Sequence, residues 1–242
     1  MRYGILGDIH ANLEALTAVL DACKDESVDR YLCAGDIVGY AANPADCITT
    51  IKELAAVAVA GNHDRATAGL LGVDYFNYEA RQAISWTKEK LDSGEQDFLA
   101  ALELVYRNDD LTLVHGTLDA PQDFNYMLDT HSSRNSFELL DHKICFIGHT
   151  HVPAIFAQDQ NKRILCINAD SISLEEDNKY IVNAGSVGQP RDNDPRACYC
   201  IYDTAKKKVM IKRVGYDIGA ARRKIIESGL PRFLGERLLR GL

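Results

Sequence analysis

Short apolar runs, each closed by glycine or by a residue of the Asp, Asn and His set, recur through the first 150 residues. Arg2 to Leu6 reads as a strand. Asn12 can cap a helix through Ala22, in which Leu13, Leu16, Val19 and Leu20 form an apolar stripe. Arg30 to Cys33 is a short buried strand, and Ala56 to Val59 is another. Between them Asn43 caps a helix with Pro44 at its first position, running to about Leu54. Strand–helix–strand–helix–strand predicts parallel pairing through right-handed crossovers.

Residues 75 to 102 predict helix in two pieces, broken near Ser93-Gly94, with Ser93 and Gln96 as a capping box. Leu104 to Arg107 and Leu111 to Val114 flank the turn Asn108-Asp109-Asp110, which predicts a hairpin. Strands follow at Ile144–Ile147, Ala154–Gln158, Arg163–Ile167, Lys179–Val182, Arg196–Tyr202 and Lys208–Val214. A last helix, Asp217 to Ser228, stops at Gly229 and Pro231. Residues 116–129 and 183–194 are long polar loops of the kind that carry function. No repeat or linker divides the chain, so residues 1–242 are expected to form one domain of two packed sheets with helices outside.

Lys and Arg number 27 against 35 Asp and Glu, a formal net charge of −8. That surface repels polyanions, so long nucleic acid is not an expected partner. A small phosphorylated substrate stays open, because bound divalent cations would dominate the local field. No apolar run approaches the ~18 residues of a membrane span, and a cytoplasmic protein is expected. Cys33, Cys145 and Cys166 read as small buried hydrophobes, and no Cys-x-x-Cys pair occurs among the seven cysteines. Both observations suit a reducing compartment.

The chemistry lies in five cassettes: Gly7-Asp8-Ile9-His10, Gly35-Asp36, Gly61-Asn62-His63-Asp64, Val114-His115-Gly116 and Gly148-His149-Thr150-His151. Each follows a strand-like run, and ligands of open α/β sheets bind beyond the carboxyl ends of the strands. Asp8, His10, Asp36, Asn62, His115, His149 and His151 are therefore expected to meet at one end of a sheet, with the glycines turning the chain off each strand. Singly, each cassette is ordinary, since an Asp after a strand is often a cap and a lone His is often structural. Together, in this order, they are the inventory of a two-metal site. Oxygen and imidazole donors without thiolate favour Mn, Fe, Zn, Co, Ni or Mg. His131 and His142 lie outside the pattern and read as structural.

This motif order, Asp-x-His, Gly-Asp, Gly-Asn-His-Asp, His, Gly-His-x-His, resembles the calcineurin-like metallophosphoesterase superfamily. The resemblance implies an α/β fold, a four-layer α-β-β-α sandwich with two mixed β-sheets. It implies one metal on Asp8, His10, Asp36 and His151 and a second on Asp36, Asn62, His115 and His149, with manganese the first candidate. His63 would be the catalytic histidine, oriented by Asp64. Hydroxide shared by the two cations would attack phosphorus in line, with His63 assisting the leaving oxygen.

Phosphoprotein phosphatases of this superfamily carry Asp-Arg where this chain has Gly39-Tyr40, and usually lack the histidine found here as His151. Both departures resemble the prokaryotic phosphodiesterase-like branch, related to dinucleoside polyphosphate hydrolases. The late loop Asn183 to Asp192 would then offer Ser186 and Arg191 to phosphate, beside Tyr40. The expected reaction is hydrolysis of a phosphodiester or phosphoanhydride, with a nucleotide such as diadenosine tetraphosphate as substrate. The alternatives are a phosphomonoesterase or phosphoprotein phosphatase, and a non-catalytic scaffold of the same fold. Phe124 and Tyr126 are candidates for stacking on a base, whereas Tyr75, Phe76 and Tyr78 read first as ordinary packing.

Overall fold

The chain's structure, a computed structural model, describes residues 1–242. β1 (Arg2–Leu6) is buried at four of its five positions, as expected of a strand covered on both faces. It pairs in parallel with β2 (Arg30–Cys33), which pairs in parallel with β3 (Val57–Ala58). The crossovers are α1 (Leu13–Lys24) and α2 (Pro44–Glu53), as the apolar pattern predicts. On its other side β1 pairs antiparallel with β11 (Ala197–Asp203), followed by β12 (Lys208–Val214) and β9 (Ser171–Ser173). This first sheet runs β3-β2-β1-β11-β12-β9.

The second sheet also has six strands. It contains β4 (Val105–Arg107), β5 (Thr112–Val114), β6 (Ile144–Ile147), β7 (Ala154–Gln158), β8 (Ile164–Ile167) and β10 (Lys179–Asn183), in the order β4-β5-β6-β10-β7-β8. β5, β6 and β10 are mutually parallel and the rest antiparallel, so both sheets are mixed.

Side-chain alternation fixes the layering. Ile5 packs between the sheets with Tyr3, Leu32, Phe146, Val182 and Tyr202, while Leu6 packs outward beneath α1 and α2 with Leu16, Val19, Ile48 and Ile51. On β6, Ile144 and Phe146 face the inter-sheet core, and Cys145 and Ile147 face the opposite layer with Phe137. The result is the four-layer α-β-β-α sandwich. α4 (Tyr78–Lys90) and α5 (Ser93–Ala101) lie on the side of the first sheet, near α7 (Ile218–Glu227) and α8 (Arg232–Leu238). The fourth layer is thin, with α6 (Arg134–Leu139) as its only regular helix. No helix is long and apolar enough to cross a membrane.

Several local expectations shift. The capping box of α5 is Asp92 with Glu95, each side chain accepting from the other's backbone N–H at 2.8 Å, one residue before the Ser93–Gln96 pair. The Gln96 amide instead donates to the carbonyls of Lys88 and Leu91. α4 begins at Tyr78, because Asn77 accepts from Ala80 N–H and caps there. Cys166 is exposed rather than buried, since β8 is an edge strand. The short α3 (Asn62–Thr67), α6, α8 and β9 lack a periodic signature long enough to read.

The late loop, residues 183–194, is tied into this frame by Asn12. Its side-chain oxygen accepts from Ala15 N–H to cap α1, and its amide donates to Gly188 O at 2.8 Å. Asn12→Ala therefore removes a cap, worth about 1 kcal/mol, and leaves a buried carbonyl unpaired, about 1–3 kcal/mol more. Urea denaturation should show a loss near that sum, with Asn77→Ala losing only the cap. A loss below about 0.5 kcal/mol for Asn12→Ala would mean that the tie does not hold the loop.

Candidate metal centre

The expected single sheet end is in fact a seam between two sheets. Asp8 and His10 follow β1, Asp36 follows β2 and Asn62 follows β3 in the first sheet, while His115 follows β5 and His149 and His151 follow β6 in the second. Gly35, with φ of 93°, turns the chain off β2 as expected, but most of the other turns are made by the donors themselves. Asp8, His10, Asp36, His149 and His151 all have left-handed backbones, with φ of 50°, 51°, 53°, 70° and 61°. Such residues cost of order 1–3 kcal/mol each and persist where the surroundings over-determine them. Here backbone bonds do so, including Asp8 N–H to Gly35 O at 3.0 Å and His10 N–H to Asp36 O at 2.9 Å. Gly61 and Gly148 serve a purpose other than turning: a Cβ there would lie 2.0 Å from Asp36 Oδ1 and 2.4 Å from Asp8 Oδ2.

Two donor groups result. Asp8, His10, Asp36 and His151 form one, and Asp36, His115 and His149 the other, every residue buried and the ligand atoms of each group within 4.8 Å of one another. Asp36 belongs to both. Its Oδ2 lies 3.5 Å from His10 Nε2 and 3.4 Å from His115 Nε2. Asn62 Oδ1 joins the second group, 3.1 Å from His115 Nε2.

The donor chemistry fits cations. His10 Nδ1 lies 3.1 Å from Val38 O, and His151 Nδ1 lies 2.6 Å from Gln189 O. A carbonyl only accepts, so both Nδ1 atoms carry the proton and both Nε2 atoms carry a lone pair. Those two lone pairs face each other at 3.0 Å. His115 repeats the arrangement: Nδ1 bonds to Ala34 O at 2.7 Å, and Nε2 faces His149 Nδ1 at 3.0 Å. Converging acceptors repel unless a positive charge sits among them. Burial pushes His10 and His149 well below the ordinary imidazole pKa. Burial also pushes His115 down, but the Asp36 carboxylate overrides it and holds the ring at about 9. The field at Asp36 thus attracts cations, a proton among them. These buried Asp and His groups fit a binuclear divalent-metal site.

His63 stands beside both groups. Its ring packs against Tyr40, His10 and Phe76 at centroid distances of 4.4, 4.8 and 5.0 Å. Its Nδ1 is buried against Gly39 and has no hydrogen-bond partner. Asp64 does not orient it. The Asp64 carboxylate accepts instead from the N–H groups of Ile37, Val38 and Gly61 at 2.9, 3.2 and 3.0 Å. Burial, then the nearby Asp36 charge, raises Asp64 to about 7 despite those amides. Asp64 therefore staples the Asp36 loop to the start of α3, where His63 N–H donates to Asp36 Oδ1 at 2.8 Å.

Arg191 lines the cleft above the metal groups, its guanidinium 5.7 Å from the Tyr40 ring centroid. Its Nε and Nη2 donate to Gln189 Oε1 at 3.2 and 2.7 Å. Ser186 is not available to a substrate: it is fully buried, donating to Asp8 O at 2.7 Å and accepting from Gln189 N–H at 2.8 Å. It pins the late loop beneath the ligands, which corrects its expected place in the phosphate site. Gln189, which sequence reasoning missed, holds His151 through its carbonyl and Arg191 through its side chain; nothing in its spacing marks it. Phe124 and Tyr126 line the cleft, Tyr126 stacked on His149 at 4.0 Å. Tyr75 and Phe76 line it too, whereas Tyr78 does not. His131 and His142 lie outside both donor groups.

Residues 1–207 match the family model described as a calcineurin-like phosphoesterase superfamily domain. The chain is 39% identical over 241 residues to an uncharacterized protein of Methanocaldococcus jannaschii, covering 98% of this chain and 97% of that one. A crystal structure of a metallophosphoesterase from Sphaerobacter thermophilus is 37% identical, with a TM-score of 0.88, covering 100% of this chain and 99% of that one. A hypothetical protein of Pyrococcus horikoshii shares the fold at 20% identity and a TM-score of 0.80, covering 100% and 98%. With both donor groups assembled as its motifs require, the chain belongs to the calcineurin-like phosphoesterase superfamily.

Proposed function

We propose that this protein hydrolyses a phosphodiester or phosphoanhydride in a small nucleotide, diadenosine tetraphosphate being one candidate, with manganese as the first metal to test. The observation that carries this reading is that both donor groups, joined through Asp36, open into one cleft of about 660 Å³ shared with His63 and Arg191. The acidic chain, its free cysteines and that small cleft support a cytoplasmic enzyme acting on small phosphorylated molecules rather than on nucleic-acid polymers.

Asp8, His10, Asp36 and His151 would hold one cation, and Asp36, Asn62, His115 and His149 the other. Divalent cations there supply Lewis acidity, making water more acidic and offsetting charge on phosphoryl oxygens. The remaining work falls to the chain's own side chains. Arg191 can grip phosphoryl oxygens with the guanidinium edge that Gln189 leaves free. A neutral anchor orients this cation without cancelling its charge. His63 has no acceptor for a proton on Nδ1, so the proton belongs on Nε2, which faces the cleft. From there it donates a hydrogen bond to the leaving oxygen. Tyr40 and Phe76 fix the ring where an acidic partner does not. The balance is one water per bond: its oxygen ends on phosphorus and a proton leaves with the departing group.

The direct test is hydrolysis of bis-p-nitrophenyl phosphate by metal-stripped protein, before and after adding manganese. Restored turnover supports the reading. A preference for p-nitrophenyl phosphate would redirect it to a monoesterase, and no turnover on either would overturn it. His63→Ala should lower kcat by roughly 10²–10⁴-fold with metal content and unfolding midpoint unchanged. Turnover equal to the parent enzyme would remove His63 from the mechanism.

A further inference from the structure

Beyond the metal groups the cleft continues into an outer lobe between two segments. It is lined by Tyr75, Phe76 and Asn77, from the connection between α3 and α4, and by Gln122, Asn125 and Tyr126, from the loop after β5, all of them exposed except the half-buried Phe76, whereas the metal donors are buried. Charge is distributed unevenly along this cleft. Arg191 is the only lysine or arginine in its lining, and it stands at the metal end. The outer lobe carries no cation and one carboxylate, Asp123. A chain of phosphates entering it would place each added negative charge without a partner and beside an acid.

The lobe instead offers aromatic faces and carboxamides. Tyr126 lies nearly parallel to His149, 15° between planes, with half of its surface still exposed. One ring face is thus occupied and the other open. Tyr75 is 95% exposed and packs against nothing, so its place at the rim is not explained by the core. Phe76 differs, since it is half-buried against His63 and the α7–α8 layer. Asn77, Gln122 and Asn125 bring amide groups that both donate and accept. Open aromatic faces beside mixed donors and acceptors suit a flat, uncharged, hydrogen-bonding ring.

We infer that the outer lobe is a nucleoside subsite, selecting esters in which one phosphoryl group reaches the metals and Arg191 while an uncharged nucleoside fills the lobe. This rests on the reading above that the donor groups and Arg191 receive a phosphoryl group. It narrows that reading toward nucleoside monophosphate esters and away from polyphosphate-bridged dinucleotides, whose chain has no cationic track to follow.

Binding measured by titration calorimetry on manganese-loaded protein decides it, with adenosine monophosphate, inorganic phosphate and diadenosine tetraphosphate as probes. The nucleotide should bind at least about 10-fold tighter than phosphate, and the tetraphosphate no tighter than the monophosphate. Tyr126→Ala and Tyr75→Ala should each shrink the gap between nucleotide and phosphate by at least roughly 3-fold. The exposed Tyr75 makes its variant a test free of folding effects. Equal binding of nucleotide and phosphate overturns the subsite, and so does a tetraphosphate bound about 10-fold or more tighter than the monophosphate. Turnover of methyl p-nitrophenyl phosphate, followed in parallel, tests the hydrolase itself. An inactive protein that still discriminates between nucleotide and phosphate would sink the hydrolase while leaving the subsite standing.

Discussion

Asp36 is a carboxylate buried at the seam of two sheets, with the Nε2 atoms of His10 and His115 at 3.5 and 3.4 Å from its Oδ2. Burying a charge costs several kcal/mol unless opposite charge and hydrogen bonds compensate it. His63 N–H supplies one bond, and the remaining oxygen faces two imidazoles whose Nδ1 protons are turned toward backbone carbonyls, so that only a cation at Nε2, a proton on His115 included, can compensate it there. A cation held on either side of the carboxylate would compensate it, and the donor groups fit that arrangement. Much of the surrounding architecture serves that arrangement: the left-handed donors, the glycines that make room for the carboxylates, and the Asp64 staple that holds the Asp36 loop on α3.

A two-sheet sandwich suits this task because no single strand end presents enough donors. β1, β2 and β3 bring Asp8, His10, Asp36 and Asn62, and β5 and β6 bring three histidines to the same end of the second sheet. The inter-sheet core of Tyr3, Ile5, Phe146 and Val182 locks the two halves together. Above this floor, Arg191 and His63 face the cleft, each positioned by a neutral neighbour. Gln189 holds the guanidinium, and Tyr40, Phe76 and Gly39 confine the imidazole. Both groups therefore keep their polar edges for a ligand.

The convergence of the donors was legible in the sequence because oxygen and imidazole residues at successive strand ends have little packing value there. The buried strands and the Asn12 cap were legible for similar reasons, since periodicity and capping chemistry act locally. What escaped depends on distant contacts. Asp64 stands next to His63 in the chain, yet its carboxylate turns toward the amides of residues 37 and 38, a choice set by how α3 meets the β2 loop. Ser186 reads as a free hydroxyl until the late loop folds over β1 and buries it on Asp8. Gln189 carries no motif at all. The left-handed donor backbones were hidden because glycine, not Asp or His, is the usual sign of that geometry.

The central claim is that Asp36 is shared by two metal sites, and metal stoichiometry tests it most directly. Stripped protein, saturated with manganese and freed of excess, should hold about two ions per chain by elemental analysis. Asn at position 36, in Asp36→Asn, should weaken both sites together and leave less than about one ion. A parent protein that binds a single ion, or a variant that keeps one site at full affinity, would contradict the account.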